Sequence, residues 1–252
     1  MEGLSVTIIT LNEEEDIGAC LDSVAWADEV IVSDSGSTDR TVEICRERGA
    51  RVWRDRWLGY GAQKNLCQSR ASHRWILNVD ADERVTPELR EEIAAVLRGD
   101  RGGFDGYYIP RRNYFGRRWV RRCGWYPDHT LRLYRKDRGA YAEENAPHES
   151  VVVEGRAGYL DGALEHYSYS DVSDYIRRLD RYSTAAARDL HGRGRRAGLV
   201  DLALRPPLAF LKSYVLRLGF LEGALGLTLA RLAAAYTHAK YAKLLEMEKG
   251  GL

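Results

Sequence analysis

The stretch Ile76-Leu77-Asn78-Val79-Asp80-Ala81-Asp82-Glu83 decides how the rest of the chain is read. An apolar run stops, and three acidic residues follow at once. On a strand period of two, Val79 and Ala81 point one way while Asp80 and Asp82 point the other. Two carboxylates are therefore expected on one side at the carboxyl end of a buried strand, where open α/β sheets bind ligands. Hard divalent cations take oxygen ligands, and Mg²⁺-type ions are often held by one or two carboxylates plus substrate phosphates. An Asp-x-Asp standing alone is more often a solvated acidic turn, so the surrounding pattern has to decide.

Upstream, Ser5-Val6-Thr7-Ile8-Ile9-Thr10 is β-branched and reads as a buried strand. Asn12 follows as an expected N-cap, with Glu13, Glu14 and Glu15 in the first helical turn. Val30-Ile31-Val32 is a second strand and runs into the polar turn Ser33 to Asp39. Val52-Trp53 is a short third strand, and a helix covers Gln63 to Ala71. This alternation predicts a parallel sheet with right-handed crossovers. Downstream, Thr86 and Pro87 fit the N-cap and first position of a helix whose apolar face is Leu89, Ile93, Val96 and Leu97. From Gly106 the pattern turns to strands, at Tyr107 to Ile109 and Thr130 to Tyr134, with further extended segments to His166. Helices follow from Val172 to a break at Gly192 to Arg196, and again from Pro206-Pro207 to Met247. An α/β domain over 1–168 and a helical extension over 169–252 are expected.

The 252 residues carry a net charge of +1, with 44% hydrophobic and 30% charged residues, which suits a soluble globular protein with a real core. Acidic residues sit mostly in the first hundred positions. The pairs Arg111-Arg112, Arg117-Arg118 and Arg121-Arg122 make the second half basic and predict an anionic partner there. Cys20, Cys45, Cys67 and Cys123 are scattered, so neither a zinc site nor a disulfide framework is expected, and a reducing cytosol fits. A strand begins almost at the first residue, so no signal peptide is expected. Lys212, Arg217, Glu222 and Arg231 interrupt the apolar region Leu208 to Tyr236, so no spanning helix is expected either.

Four motifs occur in order: strand–Thr10-Leu11-Asn12-Glu13, strand–Asp34-Ser35-Gly36-Ser37-Thr38-Asp39, Gln63-Lys64-Asn65, and strand–Asp80-Ala81-Asp82. Together they resemble the nucleotide-sugar-binding half of a family 2 inverting glycosyltransferase with the GT-A fold, over about the first 165 residues. The resemblance implies a Rossmann-like, mixed and mostly parallel sheet flanked by helices. It implies that Thr10, Leu11, Asn12 and Glu13 line a uridine pocket, and that Asp34 meets the base or ribose while Ser37 and Asp39 shape its loop. Lys64 would lie near the nucleotide, where the family often has Arg. Asp80, Ala81 and Asp82 would meet the diphosphate, with Asp80 and Asp82 holding Mg²⁺ or Mn²⁺ and Asp82 the direct ligand. His166 is a further candidate for the metal or diphosphate. Many relatives take their general base from a Glu-Asp pair that this chain lacks. By position His148-Glu149 replaces it, with Glu149 as the base; Glu144 and Asp128 are the alternatives.

A narrower resemblance rests on His148-Glu149, Glu165 to Tyr169, Arg181-Tyr182-Ser183, Phe210 to Tyr214, Gly219 to Gly223 and Lys240 to Leu244. These are similar to bacterial lipopolysaccharide inner-core β-1,4-glucosyltransferases acting on heptose, although the chain has Phe-Leu-Glu-Gly where those relatives often have Phe-Leu-Asp-Gly. That implies glucose transfer from a UDP-sugar to an anionic glycolipid acceptor, by a cytoplasmic protein peripheral to the inner face of the bacterial inner membrane. The arginines of 111–122, interleaved with Tyr114, Phe115, Trp119 and Trp125, suit phosphates and sugar faces. Nucleic acid could use the same composition, but no nucleic-acid motif is present, so none is expected as a partner. The Leu208 to Lys249 region fits a helix in the membrane interface, or equally a cap on the protein's own core. Two other readings stay open: another glycolipid, polysaccharide or peptide acceptor, or a catalytically silent nucleotide-sugar-binding or membrane-assembly protein.

Overall fold

A computed structural model describes residues 2–142 and 150–248. The first elements alternate as their sequence demands: β1 (Leu4–Thr10), α1 (Ile17–Val24), β2 (Glu29–Asp34), α2 (Thr41–Glu47), β3 (Arg51–Arg54), α3 (Tyr60–Ser69), β4 (Trp75–Asn78), β5 (Glu83–Val85) and α4 (Pro87–Arg98). Strands then dominate: β6 (Gly106–Phe115), β7 (Arg118–Trp119), β8 (Asp128–Arg135), β9 (Gly139–Tyr141), β10 (Val151–Val153), β11 (Ala157–Tyr159) and β12 (Leu164–Tyr169). The chain closes with α5 (Val172–Gly192), α6 (Leu199–Leu211), a π-helical turn at Lys212–Leu216, a 3₁₀ turn at Gly219–Glu222 and α7 (Ala224–Glu248).

The main sheet runs β3-β2-β1-β4-β8-β6-β12-β5. Its first four strands are parallel. β8 then joins β4 antiparallel, and β6 joins β8 antiparallel. The chain reverses its direction of travel across the sheet between β1 and β4. Such a point opens a crevice outside the carboxyl ends of the strands. Both faces of these strands are buried, which explains their near-continuous apolar sequence. Leu4, Val6 and Ile8 pack with Ile17, Cys20, Leu21, Leu89 and Ile93 on one face. Ile31, Ile76 and Tyr134 pack with Cys67 on the other. The α4 helix starts as its sequence predicts: Thr86 Oγ1 accepts from Leu89 N–H at 3.3 Å and Pro87 takes the first helical position.

The chain divides into two units, Met1–Arg111 with Asp128–His166, and Arg112–Pro127 with Tyr167–Leu252. The helical unit therefore takes in Arg112–Pro127, which the sequence reading assigned to the α/β domain. Buried Glu222 explains this: its carboxylate accepts from the N–H groups of Arg121 and Arg122 at 2.9 and 3.1 Å and from Arg118 at 2.9 Å. Gly226 packs so closely on the Gly219 carbonyl that no Cβ would fit. Pro206-Pro207, expected to open a helix, lie inside α6, which starts seven residues earlier at Leu199. Gly198 N–H donates to Asp201 Oδ2 at 3.1 Å and fixes that start. No helix among the described residues is long and apolar enough to cross a membrane.

Candidate active site

The acidic turn follows β4. Val79 and Ala81 are buried, whereas the side chains of Asp80 and Asp82 keep 29% and 23% of their surface exposed, so the expected alternation holds. Their partners separate them. Asp80 Oδ1 accepts from Lys64 Nζ at 2.8 Å, and Oδ2 accepts from Arg132. Burial alone would raise the Asp80 carboxyl; Arg132 and Lys64 together outweigh it and hold it well below the usual carboxylate range. Burial works against the Lys64 charge too, and Asp80 more than restores it. Lys64 is thus a buried partner of Asp80, lying 5.2 Å from the Tyr141 ring centroid. Each oxygen of Asp80 thus faces a cation of the protein itself.

Arg132 was not singled out by sequence. From the middle of β8 it donates to Asn78 Oδ1 at 2.8 Å and Glu83 Oε1 at 2.7 Å, as well as to Asp80. Glu83 is fully buried; its Oε2 accepts from Asp80 N–H at 2.9 Å, and Arg111 stands 3.6 Å from its Oε1. Arg111 in turn grips Asp128 Oδ2 through two N–H groups at 2.6 and 3.0 Å. The result is an alternating series, Lys64–Asp80–Arg132–Glu83–Arg111–Asp128. One signal was available: a lone Arg in the apolar strand Thr130 to Tyr134 is almost never buried without a partner.

Asp82 faces His166, with Oδ2 3.4 Å from Nε2. Antiparallel pairing of β12 with β5 sets His166 opposite Glu83, beside the acidic turn. Among the described residues no three acidic, His or Cys groups converge as a cation site. A carboxylate oxygen and an imidazole nitrogen fit a divalent ion that completes its shell from phosphates and water, as such ions commonly do.

The Thr10 and Asp34 loops are stitched together. Asn12, with φ 56°, donates its N–H to Ser37 Oγ at 2.9 Å and accepts from Thr38 N–H at 2.8 Å. It therefore fastens two loops, and α1 begins only at Ile17. Glu13 N–H donates to Thr41 Oγ1 at 2.8 Å, and Asp39 accepts from Thr41 Oγ1 at 2.6 Å and Glu14 N–H at 3.2 Å. Asp34 is fully buried and accepts from Gly36 N–H and Ser37 N–H, both at 3.0 Å, and from the Ser37 hydroxyl. Its carboxylate thus shapes the loop in which the sequence places the base or ribose contact. Two hydroxyls of these loops, Thr10 Oγ1 and Ser35 Oγ, are buried and have no hydrogen-bond partner among the described residues. They sit at adjacent strand ends, where Ser35 N–H donates to the Thr10 carbonyl at 3.0 Å. Buried hydroxyls are normally satisfied, so two orphans at a strand-end crevice are what a bound polar ligand would use. Leu11 stands half-exposed beside them. Ser35 escaped the sequence reading because Ser is ordinary in a turn. His148, Glu149 and Glu144 lie outside the described residues.

Comparison with known proteins adds to this geometry. Residues 5–167 match the family described as Glycosyl transferase family 2. The chain is 32% identical to the lipopolysaccharide core biosynthesis glycosyltransferase LpsC of Rhizobium meliloti, across 95% of this chain and 93% of that protein. It is also 32% identical to an uncharacterized glycosyltransferase of Rickettsia typhi, across 98% of this chain and 88% of that one. Among solved structures it resembles the mannosyltransferase PcManGT from Pyrobaculum calidifontis in complex with GDP-Man and Mn²⁺, with a TM-score of 0.59 at 15% identity, covering 97% and 87% of the two chains. It also resembles S. aureus TarS 1-349 in complex with UDP, with a TM-score of 0.50 at 19% identity, covering 98% and 92%. At those identities the structural likeness is one of fold.

Proposed function

The chain belongs to glycosyl transferase family 2, and from that premise we propose that it moves a hexose, glucose, from a UDP-sugar to a heptose of the lipopolysaccharide inner core. It is a glycosyltransferase with a mixed, mostly parallel GT-A-like sheet and C-terminal helices. The observation that carries the donor site is that the Asp82–His166 pair follows β4, whose parallel neighbours β1 and β2 carry the orphan hydroxyls of Thr10 and Ser35 at their carboxyl ends. In this reading Thr10 and Ser35 hydrogen-bond the nucleoside, and the loop braced by Asn12, Asp34, Ser37 and Asp39 holds it in place. Asp82 and His166 hold Mg²⁺ or Mn²⁺ against the diphosphate. When bound, the ion neutralises charge on the departing nucleoside diphosphate.

Asp80 keeps Lys64 and Arg132 charged at the floor of the site. Glu149, beside His148, takes the proton from the acceptor hydroxyl, which attacks the anomeric carbon in a single inverting displacement. Similarity to LpsC supports the lipopolysaccharide-core acceptor. The protein would then work at the cytoplasmic face of the inner membrane, bound peripherally.

The test is incubation with a panel of UDP-sugars and truncated lipopolysaccharide acceptors, with and without EDTA, read by mass shift. One hexose added to a heptose-terminated acceptor, and abolished by EDTA, is expected. Transfer from another nucleotide-sugar only, or undiminished transfer in EDTA, would refute the donor or the metal. Glu149→Gln should keep donor binding and lose transfer by orders of magnitude; near-normal turnover removes Glu149 from the role.

A further inference from the structure

The helical unit carries an exposed apolar stripe. In α6 and the π-helical turn after it, Val200, Leu204, Leu208, Leu211 and Val215 recur at intervals of three and four, which places them on one helical face. All five are exposed, with Val200 at 68%, Leu204 at 55% and Leu208 at 60%, and α6 has no buried residue. The stripe continues through Leu216, Phe220 and Leu221, which are 73%, 47% and 57% exposed. Isolated exposed leucines are ordinary; a contiguous row along one element is not.

A basic cavity adjoins the end of this stripe. It has a volume of about 370 Å³ and is lined by Arg121, Arg122, Arg217, Tyr126, Leu216 and Leu218. Among the described residues no carboxylate pairs with Arg121, Arg122 or Arg217. The neighbouring acidic group is already occupied, because Glu222 accepts from Arg118 and from two backbone N–H groups of the arginine loop. The arginines are nevertheless held in place. Arg121 stacks on Trp119, 4.3 Å from the ring centroid. Arg217 lies flat against Gly124, whose missing Cβ makes room for it. Fixed guanidinium groups with no carboxylate partner among the described residues suit phosphate, which they can bind through paired N–H donors.

Leu216 and Leu218 bracket Arg217, so the apolar row and the cationic cavity share one stretch of chain. We propose that this surface docks on a lipid bilayer, with Leu208, Leu216 and Phe220 entering the acyl boundary and Arg122 and Arg217 binding lipid phosphate. The occupant follows from charge and shape together. A soluble phosphate would use the arginines but leave the leucines in water, and a neutral apolar partner would leave the arginines unpaired. An anionic membrane surface satisfies both. The proposal rests on the reading that the acceptor is membrane-borne, but docking itself does not require sugar transfer.

The experiment is co-sedimentation of the full chain with vesicles of phosphatidylcholine alone, or of phosphatidylcholine with phosphatidylglycerol. Binding should be strong only on the anionic vesicles and should weaken with salt. Arg122→Glu and Arg217→Glu should each lower the partition coefficient by more than the roughly fivefold expected for loss of one cation near the surface. Leu208→Glu and Leu216→Glu should each lower it about tenfold or more on the same vesicles. The circular dichroism spectrum and melting profile should stay unchanged in all four, because these side chains are exposed. Equal binding to both vesicle types, or unchanged partition in the leucine variants, would overturn the proposal. So would displacement by millimolar inorganic phosphate at constant ionic strength, which would assign the cavity to a free anion. Vesicle binding without any sugar transfer would leave the docking surface standing and count against the enzymatic reading alone.

Discussion

Around Asp80 each buried charge has an opposite charge against it, whereas Arg121, Arg122 and Arg217 have none among the described residues. In the first unit, Lys64, Arg132 and Glu83 are buried and, with the partly exposed Asp80, must compensate one another, because an unpaired charge there is costly. In the second unit the three arginines line an open cavity and tolerate lacking a partner. Charges paired inside the protein build its structure, and charges left unpaired are available to something outside it. Asp82 divides its own region in the same way. Two residues from Asp80, it faces the imidazole of His166, a group neutral unless protonated.

The distinction can be broken by mutation. Arg132→Met should have the largest effect on stability, because it strips a partner from Asp80 and Glu83 at once. A loss of about 3–5 kcal/mol is expected, read by denaturant unfolding; a loss under about 1 kcal/mol would refute the pairing argument. Asp82→Ala should leave that stability nearly unchanged and lower transfer by about 10²–10³-fold, the scale of losing one group aimed at transition-state charge. Glu222→Gln keeps the shape of the one buried carboxylate of the arginine loop but turns a donor toward donors. It should cost about 1–3 kcal/mol, and amide chemical-shift changes should be confined to the helical unit.

Asp55 tests the first region by pH. Arg70 holds its carboxyl below the ordinary value, with a further hydrogen bond from Ser33. Its contribution is therefore full above the unfolded value near 3.8 and fades as pH falls through the lower folded one. Asp55→Asn should cost about 1–2 kcal/mol at pH 7, and the difference from the wild type should vanish in strong acid. A difference that grows below pH 3.8 would reverse the sign. The smallest effect belongs to Arg122→Ala, which should leave stability within about 0.5 kcal/mol. A larger loss would show that the cavity arginines are structural after all.

Much of the α/β half was legible from local pattern. The alternation of β1, β2 and β4 with α1 to α3, the capped start of α4 at Thr86-Pro87, and the opposed facing of Val79 and Asp80 all follow from residues close in sequence. What was not legible depends on distance along the chain. Arg132 meets Asp80 across 52 residues, and nothing near either position announces the other. The loop-building contacts of Asp34 and the Lys64–Asp80 pair were likewise not read, since the sequence put Asp34 after a strand and the resemblance put Lys64 near a nucleotide. Whether a carboxylate faces solvent or its own loop depends on rotamer and burial, which spacing alone does not set. The Pro206-Pro207 pair signalled a helix start by local rule, but the first turns of α6 lie upstream of it. Membership of Arg112–Pro127 in the helical unit was hidden for the same reason as Arg132, since its anchor is Glu222.

That anchor has a consequence for how the protein is made. Arg121 leaves the ribosome about a hundred residues before the carboxylate that fixes its backbone, the two being separated by 101 positions. At about 5–20 residues per second, roughly 5–20 seconds pass before Glu222 is synthesised. The first unit has its complete set of strands once His166 has emerged, so it can fold while the arginine segment still lacks its tether. During that interval a cationic, aromatic segment is exposed on a nascent chain, open to any polyanion nearby. Late synthesis of a single acidic side chain therefore times the closure of the segment.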